Sequence, residues 1–539
     1  MSTAFNRQLG SQSGVQLNPL RDMTDGYAPD NSDQVFGIVM RATRGRIDKP
    51  FRVNRGNFQK KLGRGESLRA SALNEAHIHV YEALQKGAAS AVVQRLTTST
   101  AVLSAIIVTQ PEAPATDLVF SVATAVPTDK PFLLSVKHLE CYNDGVVIEL
   151  HADAVMENGA PVANRLVTLR LRDKDRNTLY EFVGSLNPDA LDDYQQSAYL
   201  PDVVERTTDN VEVLVGGGAQ IAATSNAYGR DTNGRPKFAI SPVMTYFTEG
   251  SIAYGVPDFA RARDLLQKTE HDYAYIVSGG SHAPALLSAL AQLAYDTNRQ
   301  FAWDVPGTLS PEAAIAFIAQ LNFDSHYCQA YWAPLKSDDP LGLNGKVVLG
   351  TSAYNVARRC LRNAQTDANG FAPKNYPIAG KNWPLDRTGI VQIHTPDDDL
   401  SDLADAKINP VIYVKYNGGG KYVFSDSLTC AKTAVSMKKL ISVADMSSSI
   451  DDWVTRFAKE ALQLPMEVSV KKTDAFLKKL FKDAKTAKWI VPSVEMDGEA
   501  FQYVVQPNAL RPADRMDVSY SLKYDGTNRQ TFVTQTLSR

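Results

Sequence analysis

Long apolar runs are missing from this chain of 539 residues. No stretch approaches the ~18 apolar residues of a membrane-crossing helix, so stable membrane insertion is not expected. The opening "MSTAFNRQLGSQSG" also lacks the apolar segment of a secretion signal, which predicts a protein kept in the cytosol unless lysis releases it. Cysteine is scarce. Cys141, Cys328, Cys360 and Cys430 stand far apart without Cys-x-x-Cys spacing, which argues against a zinc site or a disulfide framework and for packed, reduced thiols. An excess of one charge is absent too: 57 Lys and Arg against 59 Asp and Glu leave a formal net charge of −2. That disfavours nucleic acid as the main partner and leaves only local patches to act.

The motifs of common catalysts and cofactor sites are incomplete. "NGGGKY" and "IAGKNW" contain Gly-Lys, yet neither has the earlier Gly nor the following Ser or Thr with which a P-loop cradles phosphate. His77 and His79, two apart on a helix, point in nearly opposite directions and have no completing ligand nearby. Asp397, Asp398 and Asp399 lack the alternating oxygen donors of a calcium loop. The best enzymatic lead is Gly279-Gly280-Ser281-His282 between a strand and a helix, where a hydrolase nucleophile elbow would sit. Its fifth position is Ala283 rather than the Gly that the strained turn needs, so an ordinary turn is the plainer reading. No catalytic residue, cofactor or metal is expected.

What the chain does have is 44% hydrophobic residues, an ordinary globular composition, over a length that needs roughly two to four domains. Residues 1–33 are rich in Ser, Asn, Gln, Asp and Gly and read as an arm. Residues 34–109 begin an α/β unit: "QVFGIVMRA" is a buried strand, and "SALNEAHIHVYEALQKG" is a helix closed by Gly87 before a second strand. Residues 110–262 read as an inserted β-rich domain. Its strands are "RLVTLRLRD", "TLYEFVGSL" and "NVEVLVGGG", with a hairpin turning at Asn143-Asp144-Gly145. The α/β pattern resumes over residues 263–510, where "SPEAAIAFIAQLN" is a helix with Ser310 as N-cap and Pro311 at its first position.

Two basic segments stand out. Ten Lys and Arg face two acidic residues between Arg41 and Arg69, without the aromatic interleaving that stacks bases, so an acidic protein surface is the natural target. In "KKTDAFLKKLFKDAKTAKW", Phe476, Leu477, Leu480, Phe481 and Ala484 form an apolar stripe opposite Lys471, Lys478, Lys482 and Lys485. Residues 511–539 end the chain as an arm in which Met516, Val518, Tyr520 and Leu522 alternate with polar residues. A turn at Asp525-Gly526 then leads into a second strand through Phe532. Such strands need a sheet to join, because an isolated hairpin is marginal and its edges are unpaired.

The order of segments resembles the contractile tail sheath proteins of bacteriophages and related injection machines. The likeness is clearest over residues 265–539, in "FAWDVPGTLSPEAAIAF", "DSHYCQAYWAPLKSDDPLG", "GFAPKNYPIAGK", "INPVIYVKYNGGGKYVFSDSLT", "MKKLISVADMSSSIDDWVTRFAKEAL" and "RPADRMDVSYSL". It is looser in "VFGIVMRATRGRIDKPFRVNRGNFQKKLG", and the usual Trp-Gly is missing from the strand at Tyr422 to Phe424. The resemblance implies an α/β sheath core with extended N- and C-terminal arms, stacked as six-membered rings around an inner tube; the β-rich insertion has no counterpart in the family and is expected to face outward. It implies partners in other copies of itself, a tail tube protein, and baseplate and tail terminator proteins, in a virion tail assembled in the host cytoplasm. By the same resemblance the two terminal arms, the C-terminal one carrying Met516, Val518, Tyr520, Leu522 and Phe532, would add strands to neighbouring sheets. Lys478, Lys482 and Lys485 would face an acidic tube. The rival readings are another self-assembling lattice such as a capsid, and a serine hydrolase using Ser281.

Overall fold

The computed structural model describes residues 31–112, 117–153, 156–157, 160–161, 166–217, 220–222 and 224–536. The expected arm of residues 1–33 therefore lies outside the described residues except for its last three.

Six largely buried strands form the centre of the molecule, five of them short and buried along their whole length. They make the parallel part of an eight-stranded sheet in the order Phe51–Val53, Ser90–Arg95, Val35–Met40, Tyr275–Val277, Gln300–Val305, Cys328–Trp332, Ile408–Tyr416 and Gly419–Phe424. The first and last of these run antiparallel and close the two edges. One face carries Phe36, Ile38, Tyr275 and Tyr331 against the helices Glu75–Lys86 and Ser352–Asn363. The other carries Ile276, Phe301, Trp303 and Trp332 against Val256–Gln267, Pro284–Thr297 and Pro311–Leu321. The fold is thus a doubly wound α/β layer made of two stretches of chain that the insertion separates. Ser310 caps the Pro311–Leu321 helix as its sequence predicts, accepting from the Ala313 N–H at 3.3 Å.

The chain enters the insertion through Val102–Leu103 and leaves it through Phe247–Thr248, and these two pieces pair with each other. The strand Ala105–Thr109, assigned above to the core, therefore belongs to the insertion. Two four-stranded sheets face each other around a shared apolar core that includes Leu134, Ile148, Leu169, Phe182 and Val213. The hairpin expected at Asn143-Asp144-Gly145 does not form. Leu134–His138 pairs with Ala105–Thr109 and Val211–Val215, whereas Val146–Ala152 pairs with Leu166–Asp173 and Ala239–Ile240. The turn carries the chain from one sheet to the other because both strands are buried along their length, as central strands of a sandwich must be. The turn is also fastened to the body: Arg95 donates to the Asn143 side chain at 2.7 Å and Arg44 to Asp144 at 2.6 Å.

A third unit follows the main sheet. The helices Ile441–Glu460 and Met466–Thr486 pack with the strands Phe501–Pro507 and Met516–Leu522 around Leu477, Leu480, Phe481 and Trp489. Among the described residues no helix is long and apolar enough to cross a membrane.

Candidate assembly surfaces

Much of the basic segment from Arg41 to Arg69 is paired within the chain. Arg41 bonds Glu249 and Glu66, Arg46 bonds Asp48, Lys61 reaches Glu140 at 2.5 Å and Arg64 reaches Asp175 at 3.3 Å. Its acidic target is largely the inserted domain, which this seam ties to the body. Glu140 is the focus of the seam, holding Lys61, His138 at 3.2 Å and the Tyr180 hydroxyl at 3.0 Å. Burial works against its ionised carboxyl, but the hydrogen bonds and charges of His138 and Lys61 outweigh that and hold it down at about 2.

Ser281 is buried, its hydroxyl accepts from the Ala283 N–H at 3.4 Å, and His282 Nδ1 faces the Asp304 carbonyl at 3.1 Å. Gly279 and Gly280 take φ of 62° and 75°, and a Cβ on Gly280 would stand 2.4 Å from the Glu75 carboxyl carbon. Glu75 thus fills the space before the turn. His77 and His79 are both buried on the Glu75–Lys86 helix. His77 packs edge-on to Phe58 and burial pushes it down to about 4, while His79 Nε2 meets Glu75 at 3.1 Å. Among the described residues no group of three or more His, Cys, Asp or Glu could hold a metal ion. All four cysteines are buried and free.

The Met466–Thr486 helix has the amphipathic division its sequence predicts. Leu477, Leu480, Phe481 and Ala484 are buried, and Phe476, half-buried, stacks on Phe457 at 4.1 Å between ring centres. On the solvent side Lys471, Lys478, Lys482 and Lys485 follow one another at helical spacing, all exposed. Lys471 pairs with Glu467 at 2.5 Å and Lys485 comes within 3.5 Å of Glu499. Lys478 and Lys482 have no ion-pair partner among the described residues.

At the C-terminus the structure shows a pairing within the chain that the sequence reading did not anticipate. Met516–Leu522 finds its partner in the same chain, running antiparallel to Phe501–Pro507 with Tyr520 opposite Tyr503 and Leu522 opposite Phe501. Val518, Tyr520 and Leu522 turn toward their own core, where Phe481 lies 5.4 Å from Tyr520, and Met516 comes 3.9 Å from the Ser469 hydroxyl. The Tyr520 hydroxyl also donates to Asp451. The alternation of Phe501, Tyr503 and Val505 was the available signal for this partner, hidden because those residues read as the end of the preceding α/β block. Neither strand pairs with a third among the described residues, so the hairpin presents open edges. The second strand expected through Phe532 is not formed. After Tyr524 bridges Ile490 and the Asp525 N–H reaches the Trp489 carbonyl at 3.0 Å, residues 526–536 run without strand structure. Phe532 and Val533 are 90% and 89% exposed.

No protein-family model matches the chain, and no curated protein matches it. Among solved structures it is similar to a chain of the six-fold symmetrised baseplate of the anti-feeding prophage (AFP), at 13% identity and a TM-score of 0.41, over 57% of this chain and 77% of that one. It is similar to a chain of the PVC sheath complex of an extracellular contractile injection system in the contracted state, at 16% identity and a TM-score of 0.41, over 51% of this chain and 74% of that one. A chain of the AFP baseplate in the contracted state matches at 15% identity and a TM-score of 0.40, over 54% of this chain and 80% of that one.

Proposed function

We propose that this chain is a structural subunit of a contractile tail sheath, which polymerises as stacked six-membered rings around an inner tube and shortens to drive that tube through a cell envelope. The observation that carries the reading is the C-terminal unit: among the described residues, a two-stranded sheet with open edges beside the segment 526–536, in which Phe532 and Val533 are almost fully exposed. Both defects are removed when the end of one copy pairs with the hairpin of another, since strand addition satisfies the edge and buries alternate side chains. The order of segments along residues 265–539 supports the same reading. In this scheme Met516, Val518, Tyr520 and Leu522 belong to the accepting hairpin and Phe532 to the donated segment.

The lysine ridge of Lys478, Lys482 and Lys485 suits an acidic cylinder running past the C-terminal unit, so the tube protein is its proposed partner, with baseplate and terminator proteins at the two ends. Work comes from the difference in lattice contacts before and after shortening. A gain of ~1–3 kcal/mol per subunit becomes decisive when many copies switch together, and no nucleotide is needed. The proposed setting is a phage-like tail assembled in the host cytoplasm.

Electron microscopy of the overexpressed protein tests the reading: striated cylinders are expected, whereas closed shells would favour a capsid-like lattice and dispersed monomers at high concentration would refute both. Charge reversal at Lys478, Lys482 and Lys485 is expected to abolish tube-templated assembly while leaving the thermal transition unchanged.

A further inference from the structure

Two of the four cysteines share one core. Cys328 opens the inner strand Cys328–Trp332, and Cys430 lies in the stretch that leads from the edge strand Gly419–Phe424 to the helix Ile441–Glu460. Both belong to the apolar cluster around Trp303, whereas Cys360 lies in the cluster on the opposite face of the sheet and Cys141 in the core of the sandwich. The two residues are also direct main-chain neighbours, since the Cys430 N–H donates to the Cys328 carbonyl at 2.8 Å. Residues facing each other across such a bond stand about 5.5 Å apart at Cα. That is inside the ~4.4–6.8 Å that a disulfide spans, so two side chains entering one cluster from this pair can be joined with little backbone movement.

The stretch that carries Cys430 is held on two sides. Asn409 donates to the Ala330 carbonyl at 2.9 Å and to the Leu428 carbonyl at 2.8 Å, and its side-chain oxygen accepts from the Leu428 N–H at 2.6 Å. Thr429 donates from its N–H to the Lys439 carbonyl at 2.9 Å and from its hydroxyl to the Lys438 carbonyl at 2.6 Å. Residues 428–430 therefore lie between the central sheet and the root of the helix that begins the C-terminal unit. Burial, the largest influence, raises the Cys328 thiol well above its ordinary value and pushes Cys430 up to about 12, so both are protonated at neutral pH. Cys430 is 4% exposed against 1% for Cys328, and Lys432, two residues further on, lines an open polar pocket. Cys430 is thus the thiol an oxidant meets first.

We propose that Cys328 and Cys430 form a latent disulfide: two free thiols in a reducing medium, and a covalent staple between the central sheet and the root of the C-terminal unit in an oxidising one. The oxidant is a small organic disulfide. The Cys430 thiolate attacks one of its sulfurs, which makes a mixed disulfide and releases one small thiol; the Cys328 thiolate then attacks the Cys430 sulfur, closing the bond and releasing the second. Two protein thiols are oxidised, one small disulfide is reduced, and the two protons pass to the departing thiolates. The loop that the bond closes is long, the case in which a cross-link restricts the unfolded chain most. The inference does not depend on the sheath reading. It adds that leaving a reducing cell stiffens the connection between the body and the C-terminal unit.

The test uses the full-length protein. Reduced, folded wild type is incubated at mildly alkaline pH with bis(2-hydroxyethyl) disulfide, then alkylated in denaturant and mapped by mass spectrometry. Two of the four thiols are expected to disappear together as one linked Cys328–Cys430 peptide, while Cys141 and Cys360 are alkylated. The double variant C141S/C360S should give the same link, and C430S should give none. The linked protein is expected to unfold a few degrees above the reduced one and to lose that gain when reductant is added. Four alkylated thiols after oxidation, or a link that includes Cys141 or Cys360, would overturn the pairing. A linked protein whose thermal transition is unchanged or lower would overturn the staple. Both readings are taken on wild type, so a variant that fails to fold leaves the test intact.

Discussion

Asp445 is enclosed by two guanidinium groups, Arg359 through both carboxylate oxygens and Arg362 at 2.9 Å, and Arg359 also donates to Gln329 at 2.6 Å. All three charged groups are almost wholly buried. They join the Ser352–Asn363 helix of the sheet body to the Ile441–Glu460 helix of the C-terminal unit and so tie the two together. Burying ions is costly, and the arrangement holds only while each has its partner. Asp445→Asn is expected to destabilise the chain by about 3–5 kcal/mol in urea unfolding, because it strands two buried cations. A change within 1 kcal/mol would show that the two arginines are adequately satisfied elsewhere. Glu140 supplies the pH dependence at the same scale. Its carboxyl sits at about 2 in the folded chain against 4.5 as its ordinary value. A depressed folded value contributes stability that is present above pH 4.5 and is lost as pH falls toward 2. Glu140→Gln should therefore flatten the acid limb of a stability-against-pH curve below pH 4.5 and leave its alkaline limb unchanged.

For the elements, the decisive question is where the C-terminal arm begins. Residues 511–539 have an arm's composition, yet Met516–Leu522 is half of the sheet that covers Phe481 and Trp489. Truncation after Tyr524 should leave the thermal transition within a few degrees of wild type while removing self-assembly. Truncation at residue 510 should lower the transition strongly, because it uncovers an apolar cluster that a single remaining strand cannot cover. Equal transitions for the two truncations would mean that the hairpin contributes nothing to the folded subunit. The basic helix behaved differently: its stripe and its lysines were readable because helical period alone places Leu477, Leu480, Phe481 and Ala484 on one face.

At the largest scale the sheet body carries the C-terminal unit and is joined to the sandwich by a two-stranded neck and an ionic seam. Replacing residues 105–245 by a short Gly-Ser linker should leave a folded body with its main sheet, since the neck ends lie side by side at Leu103 and Phe247. Its stability should fall, because Arg44, Lys61 and Arg95 lose the partners that the sandwich supplies. Circular dichroism showing loss of helical signal would refute an independently folding body.

Taken alone, the sequence determined the α/β class, the run of helices and strands in the body, the presence of a β-rich insertion and the polarity of the basic helix. These follow from local periodicity, caps and glycine turns, which act over a few residues and leave their mark in the order of residue types. Tertiary structure decided what each charged or alternating segment meets. The basic run from Arg41 to Arg69 finds acids as far off as Glu249, Asn143 and Asp144 turn the chain between two sheets, and Met516–Leu522 pairs with a strand that had passed as part of another block. Such pairings are long-range choices among partners of similar chemistry, and only the packed chain, which brings one carboxylate to one guanidinium and one strand edge to another, makes them.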